Sequence, residues 1–213
     1  MDSAAVCRWL AEFARLIDSH ATELTELDAA IGDADHGTNM QRGTGAVVEA
    51  LAELGPETGV GPLLKTTAMT LISKVGGASG PLYGTLFLRM STAVGNAADL
   101  DGAAFASVFR TGVEGLAARG KAALGDKTMY DALAPACDAI EAAVAAGSEL
   151  GAALESAVAA AEQGRDGVTP LVARKGRASY LGERSANHQD PGATSAVLLL
   201  QAAATALTPS ADG

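Results

Sequence analysis

Val6, Trp9, Leu10, Phe13, Leu16, Ile17, Leu24 and Leu27 recur at three-and-four spacing, which predicts one amphipathic helix over 3–27. The same period predicts helices over about 38–54, 62–75, 81–94, 102–118, 130–145 and 150–163. An uncharged apolar run over 191–209 predicts the last one. Asp101 reads as the N-cap of the fifth helix, and Asp190-Pro191 as N-cap and first residue of the last. Pro135 falls early in the sixth. The punctuation between them is "GPETGVGP", "GGASGPLYG", "GDKTMYD" and a polar connection over 164–189. No stretch alternates polar and apolar residues as a half-buried strand does. The expectation is an all-α fold, about eight helices without a sheet, forming one domain over 1–213. A βαβ nucleotide site is excluded on those grounds, and neither GxxxxGK[ST] nor GxGxxG occurs.

The formal charge of -10 argues against nucleic acid as the partner, because the single basic cluster is small: Arg174, Lys175, Arg177 and Arg184. A phosphate ligand on so acidic a chain needs metal ions to supply positive charge. Only 4% of the residues are aromatic, so alanine and leucine fill the interior, which favours helices. The two cysteines, Cys7 and Cys137, lack metal-ligand spacing and read as reduced thiols of a cytoplasmic protein. The run over 191–209 contains Ser195, Gln201 and three threonines, and no positive charge flanks its C-terminal side. It reads as a buried helix, with no membrane contact.

"LDAAIGDADHGTNMQRG", residues 27–43, changes the picture most. In an unbroken helix Asp28 and Asp35 would share a face and Asp33 would point away. Gly32 lets the backbone leave the helix, so that Asp28, Asp33 and Asp35 can converge. Capping explains one aspartate here, not three. Converging carboxylates need a cation, and oxygen-only ligands point to a hard ion such as Mg²⁺. A calcium loop fits poorly, since the glycine at its sixth position and the glutamate at its twelfth are missing. The next helix starts at His36-Gly37-Thr38-Asn39, where free N–H groups and the helix dipole favour an anion. "GGASG", residues 76–80, offers a second close backbone approach to a phosphate, with Ser79 adding a hydroxyl. His36 is open to three readings, phosphoryl carrier, metal ligand or nucleotide contact, and a structural or phosphate contact suits it best. His20 and His188 read as surface or capping residues.

Four blocks in order, "LDAAIGDADHGTNMQRG", "KVGGASGPLYGTLF", "GDKTMYDALAPA" and "RKGRASYLGERSANHQDPGATS", resemble the nucleotide-binding L subunit family of dihydroxyacetone kinases over essentially the whole chain. The resemblance implies a barrel of about eight antiparallel amphipathic helices, holding ADP or ATP and two Mg²⁺ at one end. It implies that Asp28, Asp33 and Asp35 hold the metals. It places His36, Gly37, Thr38, Asn39, Ala78 and Ser79 on the phosphate side and Gly120, Thr128 and Met129 near the adenosine. Arg177, Asp190, Pro191 and Gly192 then close the site, with Arg177 the candidate for stabilising charge during transfer. One departure is Ala34, often glycine in the family. Alanine fits there unless the position needs a positive φ.

The resemblance also implies partners. In the multi-subunit form a phosphohistidine carrier, subunit M, recharges bound ADP, and the phosphoryl group passes to dihydroxyacetone on a K subunit. A homodimer is a further option. At 213 residues the chain has no room for a K domain beside the L part, which favours this form. Three rivals remain: an L-type chain of an ATP-using kinase for dihydroxyacetone or another keto-sugar, a related kinase domain acting on fatty acids, and a nucleotide-dependent regulator of a transcription factor.

Overall fold

The structure is a computed structural model that describes residues 1–95 and 97–207. The described residues form α1 (Ser3–Ser19), α2 (Ala21–Ile31), α3 (His36–Ala52), α4 (Val60–Lys74), α5 (Ser79–Val94), α6 (Gly102–Gly120), α7 (Met129–Ala145), α8 (Leu150–Val168) and α9 (Pro191–Leu207), with a 3-10 segment at Arg177–Ser185. No strand occurs among them. The all-α expectation holds, with two differences. The helix expected over 3–27 is two helices, α1 and α2, broken at His20 (φ -109°, ψ 9°). Ile17 and Leu24 are both buried and seven residues apart, so the hydrophobic period runs through the break and hides it. The polar connection is partly ordered as helix, since α8 reaches Val168 and the 3-10 segment follows. Residues 208 and 209 of the apolar run lie outside the described residues.

α1, α3, α4, α5, α6, α7, α8 and α9 pack each on the next, and α9 closes on α1, a ring of eight. The ninth helix, α2, rests on α3, α9 and the 3-10 segment. The few aromatic residues are concentrated at the centre. Trp9 meets Phe87 and Phe105 at ring-centroid distances of 5.8 and 6.1 Å, Phe13 meets Tyr83 at 6.0 Å, and Phe105 stacks on Phe109 at 5.8 Å. All six are buried, each contributing roughly 1.5–3 kcal/mol of apolar burial or more. Trp9 also donates Nε1–H to the Leu199 carbonyl (3.0 Å), which pins α1 to α9. α9 is apolar on nearly every face and buried from Pro191 to Leu200. No helix among the described residues is long and apolar enough to cross a membrane.

Capping follows the sequence. Asp2, Asp101 and Asp190 accept from Ala5, Ala104 and Ala193 N–H at 2.8, 2.8 and 2.7 Å. Thr128 and Asp131 form a capping box on α7. Chain direction alternates around the ring. α3, α5, α7 and α9 therefore begin, and α2, α4 and α6 end, at one rim, where a large cavity opens.

Candidate metal and phosphate site

The cavity has a volume of about 350 Å³. Asp28 sits on the last turn of α2 and is 8% exposed. Its Oδ2 accepts N–H of Asp35 (2.8 Å) and of His36 (3.1 Å), so it caps α3 from a neighbouring helix. Asp35 holds the N-cap position of α3, yet its carboxylate makes no capping bond. It is left free for another role. Asp33 pairs with Arg177 Nη2 at 2.9 Å. Carboxylate oxygens of Asp28, Asp33 and Asp35 lie within 4.8 Å of one another. Three acids so close repel unless a cation joins them, and an all-oxygen set suits Mg²⁺. The site is built to keep Asp28 in place. A Cβ on Gly32 would lie 2.0 Å from Asp28 Oδ1, so only glycine lets the chain turn there.

His36 is buried between two hydroxyls, with Ser195 Oγ 3.0 Å from Nε2 and Ser79 Oγ 3.2 Å from Nδ1. Ser195 Oγ donates to the Gly192 carbonyl (3.0 Å) and lies 2.8 Å from Tyr83 Oη. With its one proton spent on Gly192, Ser195 accepts from both Tyr83 and His36. This makes Nε2 the protonated ring nitrogen and Nδ1 the acceptor of the Ser79 hydroxyl. Burial lowers the His36 pKa, against the opposing fields of Asp28 and Asp35, so the ring is neutral. A neutral imidazole with both nitrogens occupied is a structural member of the wall and poorly placed to carry a phosphoryl group or bind a metal.

Of the residues singled out in the sequence, Asp28, Asp33, Asp35, His36, Asn39, Ala78, Ser79, Gly120, Thr128, Met129, Arg177, Asp190, Pro191 and Gly192 line the cavity. Gly37 and Thr38 do not. Gly37 turns toward α2, where a Cβ would lie 1.9 Å from the Ala21 carbonyl oxygen, so its role is close helix packing. Thr38 is exposed and donates its hydroxyl to the Asp35 carbonyl (3.0 Å). Both can still offer first-turn N–H groups, which have no partner inside a helix. Leu82, Leu116, Ala122 and Met129 add an apolar wall. Asp190 reaches the cavity from the α9 N-cap. Burial raises its carboxyl to about 7, with the Ala193 N–H pulling the other way and Asp131 adding to the rise.

Sequence reading missed four contributors. Arg42 donates to Asn39 Oδ1 (2.6 Å) and to the Lys74 carbonyl (2.9 Å), which turns the Asn39 Nδ2 donors away from Arg42. Ser195 and Tyr83 hold His36. Lys127, inside the quoted "GDKTMYD", borders the cavity with 1% exposure. The sign available for Arg42 was its position one helical turn beyond Asn39. Nothing local marked the others.

Fold and site together define an all-helical barrel with an acidic cluster and a helix N-terminus facing one end cavity. Residues 30–205 match the DAK2 domain, and the chain belongs to that family. It is 44% identical over 201 residues to the "PEP-dependent dihydroxyacetone kinase, ADP-binding subunit DhaL" of Escherichia coli K12, covering 94% of this chain and 95% of that one. A Listeria innocua protein, "PEP-dependent dihydroxyacetone kinase 1, ADP-binding subunit DhaL", is 43% identical, covering 92% of each. The L-erythrulose kinase of Pectobacterium atrosepticum is 35% identical over 90% of this chain and 33% of its own length. The crystal structure of the dihydroxyacetone kinase from C. freundii in complex with AMP-PNP and Mg²⁺ superposes with a TM-score of 0.73 at 23% identity, covering 96% of this chain and 34% of that one. That likeness is one of fold.

Proposed function

We propose that this chain is the nucleotide-carrying subunit of a dihydroxyacetone kinase, holding ADP or ATP through Mg²⁺ on Asp28, Asp33 and Asp35. The observation that carries the proposal is the trio of carboxylates within 4.8 Å, facing the start of α3 and bordered by Arg177. Its likeness to ADP-binding subunits over nearly their full length supports the same reading. Bound Mg²⁺ would offset the charge of the phosphates and carboxylates. With two ions bound, four positive charges would offset most of the roughly six negative charges of three carboxylates and a diphosphate, with Arg177 adding a fifth.

The chain's own residues then position and shield. The first turn of α3 and the start of α5 at Ser79 offer N–H groups to the phosphate side. Leu82, Leu116 and Met129 exclude water on the side assigned to the base. Arg177 steadies charge spread over the group in transfer. The proposed course takes the phosphoryl group from a phosphohistidine carrier, subunit M, to bound ADP, and on to dihydroxyacetone held by a K subunit. An L-type chain of an ATP-using keto-sugar kinase is the second reading, favoured by the 35% identity to L-erythrulose kinase.

Purified protein should release ADP on denaturation, detected by absorbance and mass spectrometry, and should transfer phosphate only with carrier and acceptor subunits present. Asp33→Asn or Asp35→Asn is expected to weaken nucleotide retention about 10–100-fold while the circular dichroism spectrum stays the same. Retention at the wild-type level in both variants would sink the assignment of these aspartates. An empty site that binds ATP rapidly and reversibly would favour the second reading.

A further inference from the structure

Lys127 borders the cavity, where a lysine is ordinarily read as a phosphate ligand. Its ammonium cannot serve in that way. Nζ donates to the carbonyls of Thr169 (2.8 Å), Leu171 (2.9 Å) and Ser185 (2.6 Å), which occupies all three of its protons. The three carbonyls belong to the two ends of one segment, 169–185, which runs from the end of α8 through the 3-10 segment. Lys175, Gly176, Arg177 and Ala178 of that segment border the cavity. One buried cation therefore ties both feet of a strap whose crest carries Arg177.

Further contacts agree. Asp126, beside Lys127, accepts the Arg174 N–H through its backbone carbonyl (3.0 Å). Ser185, fully buried, accepts the Ala173 N–H (2.9 Å) and donates to the Gly182 carbonyl (2.6 Å), closing the strap on itself. Ala173 and Ala178 pack on Ile31, the last residue of α2, just before the acidic loop. Lys127 itself is held in a left-handed conformation, φ 64°. Outside glycine, such backbone persists where the surroundings over-determine it, and it clusters at functional sites. Here Asp131 supplies the constraint. It accepts N–H of Gly125 (2.5 Å) and of Thr128 (2.7 Å), on either side of Lys127.

We infer that Lys127 is a positioning residue, which holds the 169–185 strap so that Arg177 stands over Asp33 and the carboxylate cluster. The inference rests on the proposed nucleotide reading for its effect on binding, but not for its effect on the strap. Burying an ammonium is costly unless every proton finds an acceptor, and three backbone carbonyls provide that. Removing the ammonium leaves those carbonyls without their donor and frees both feet of the strap together.

The test uses Lys127→Met, Arg177→Gln and the double variant in the full chain, with folding checked by circular dichroism. Amide hydrogen exchange without nucleotide is expected to speed up at Ala173 and Arg174 in Lys127→Met, and to stay unchanged at α5 and α9. Affinity for Mg²⁺-ADP is expected to fall about tenfold in Lys127→Met. On the Arg177→Gln background the same substitution should add less than a twofold loss, because it acts through Arg177. Unchanged strap exchange, or losses that multiply in full, would overturn the inference and make Lys127 a separate contact. A wild type that binds no Mg²⁺-ADP would defeat the nucleotide reading, and the exchange measurement would still decide the strap. Lys127→Gln, which keeps two donors on a shorter stem, replaces the methionine variant should that fail to fold, with the same outcomes.

Discussion

At the scale of single residues, two positions lend themselves to a test, one of strain and one of charge. Ala34 lies between Asp33 and Asp35 with φ 61°, the one condition under which its methyl matters. Left-handed backbone costs a non-glycine residue roughly 1–2 kcal/mol, partly offset by the extra freedom glycine has when unfolded. Ala34→Gly should therefore stabilise the protein by about 0.5–1 kcal/mol, seen as a melting temperature raised by roughly 1–4 °C. A lowered melting temperature would mean that the turn is not strained. Asp190 is the second position. Its carboxyl is held up to about 7, chiefly by burial, whereas in the unfolded chain it ionises near 3.8. Between those values the folded state keeps a proton that the unfolded chain has released, so stability falls as pH rises from about 4 to 7 and is level above. Asp190→Asn keeps a good N-cap without the titration. In nucleotide-free protein its melting temperature should gain on the wild type by roughly 2–8 °C between pH 4.5 and 7.5. A difference that stays constant across that window would contradict the buried-acid account.

These residues also divide into legible and illegible. Asp28, Asp33 and Asp35 could be read because a helix breaker stood among them and capping could not explain three. Lys127 could not, because its partners are backbone carbonyls some 40 to 60 residues away, and carbonyls have no sequence signature. The helix start at Thr38, where an N–H can face an anion, was legible, whereas the turn of its hydroxyl back to the Asp35 carbonyl was not.

At the scale of elements, α2 and α3 meet closely enough to exclude a methyl group. A side chain at Gly37 would strike the Ala21 carbonyl and Thr25 Oγ1, at 1.9 and 2.4 Å. Gly37→Ala should cost about 1–3 kcal/mol by forcing the helices apart. Because Asp28 on α2 caps α3, the same movement should weaken metal binding, so denaturant melts and Mg²⁺-nucleotide titrations ought to fall together. Loss of one without the other would uncouple the helix contact from the site. Helix existence was plain from periodicity, while the break at His20 was not, because no glycine or proline marks it and the apolar face continues across it. The 3-10 segment was hidden for a related reason. Only Ala178 and Ser185 of its nine residues are buried, too few to show a period.

At the scale of the whole molecule, the ring brings helix ends from four parts of the sequence to one rim, and this is what the four quoted blocks have in common. Each spans or borders a helix end at the cavity. Apart from the hidden break between α1 and α2, the α-helices could be counted from the pattern, whereas the closure of α9 on α1 came only with the resemblance. That closure means that the barrel has no natural first helix. Trp9 bonds Leu199 across an antiparallel contact, so Ser3 on α1 lies alongside the last turn of α9, at the end away from the cavity. The α7–α8 turn lies at that same far end, with Gly147 at φ 88° and no atom near its Cβ position. A circular permutant joined from α9 to α1 and opened at Gly147 should fold with wild-type helicity and keep its cavity, as read by circular dichroism and nucleotide binding. Loss of helicity would show that α1 has to lead. The order in which the chain visits the ring would then be a matter of history, and the rim where those visits meet would be what the ring preserves.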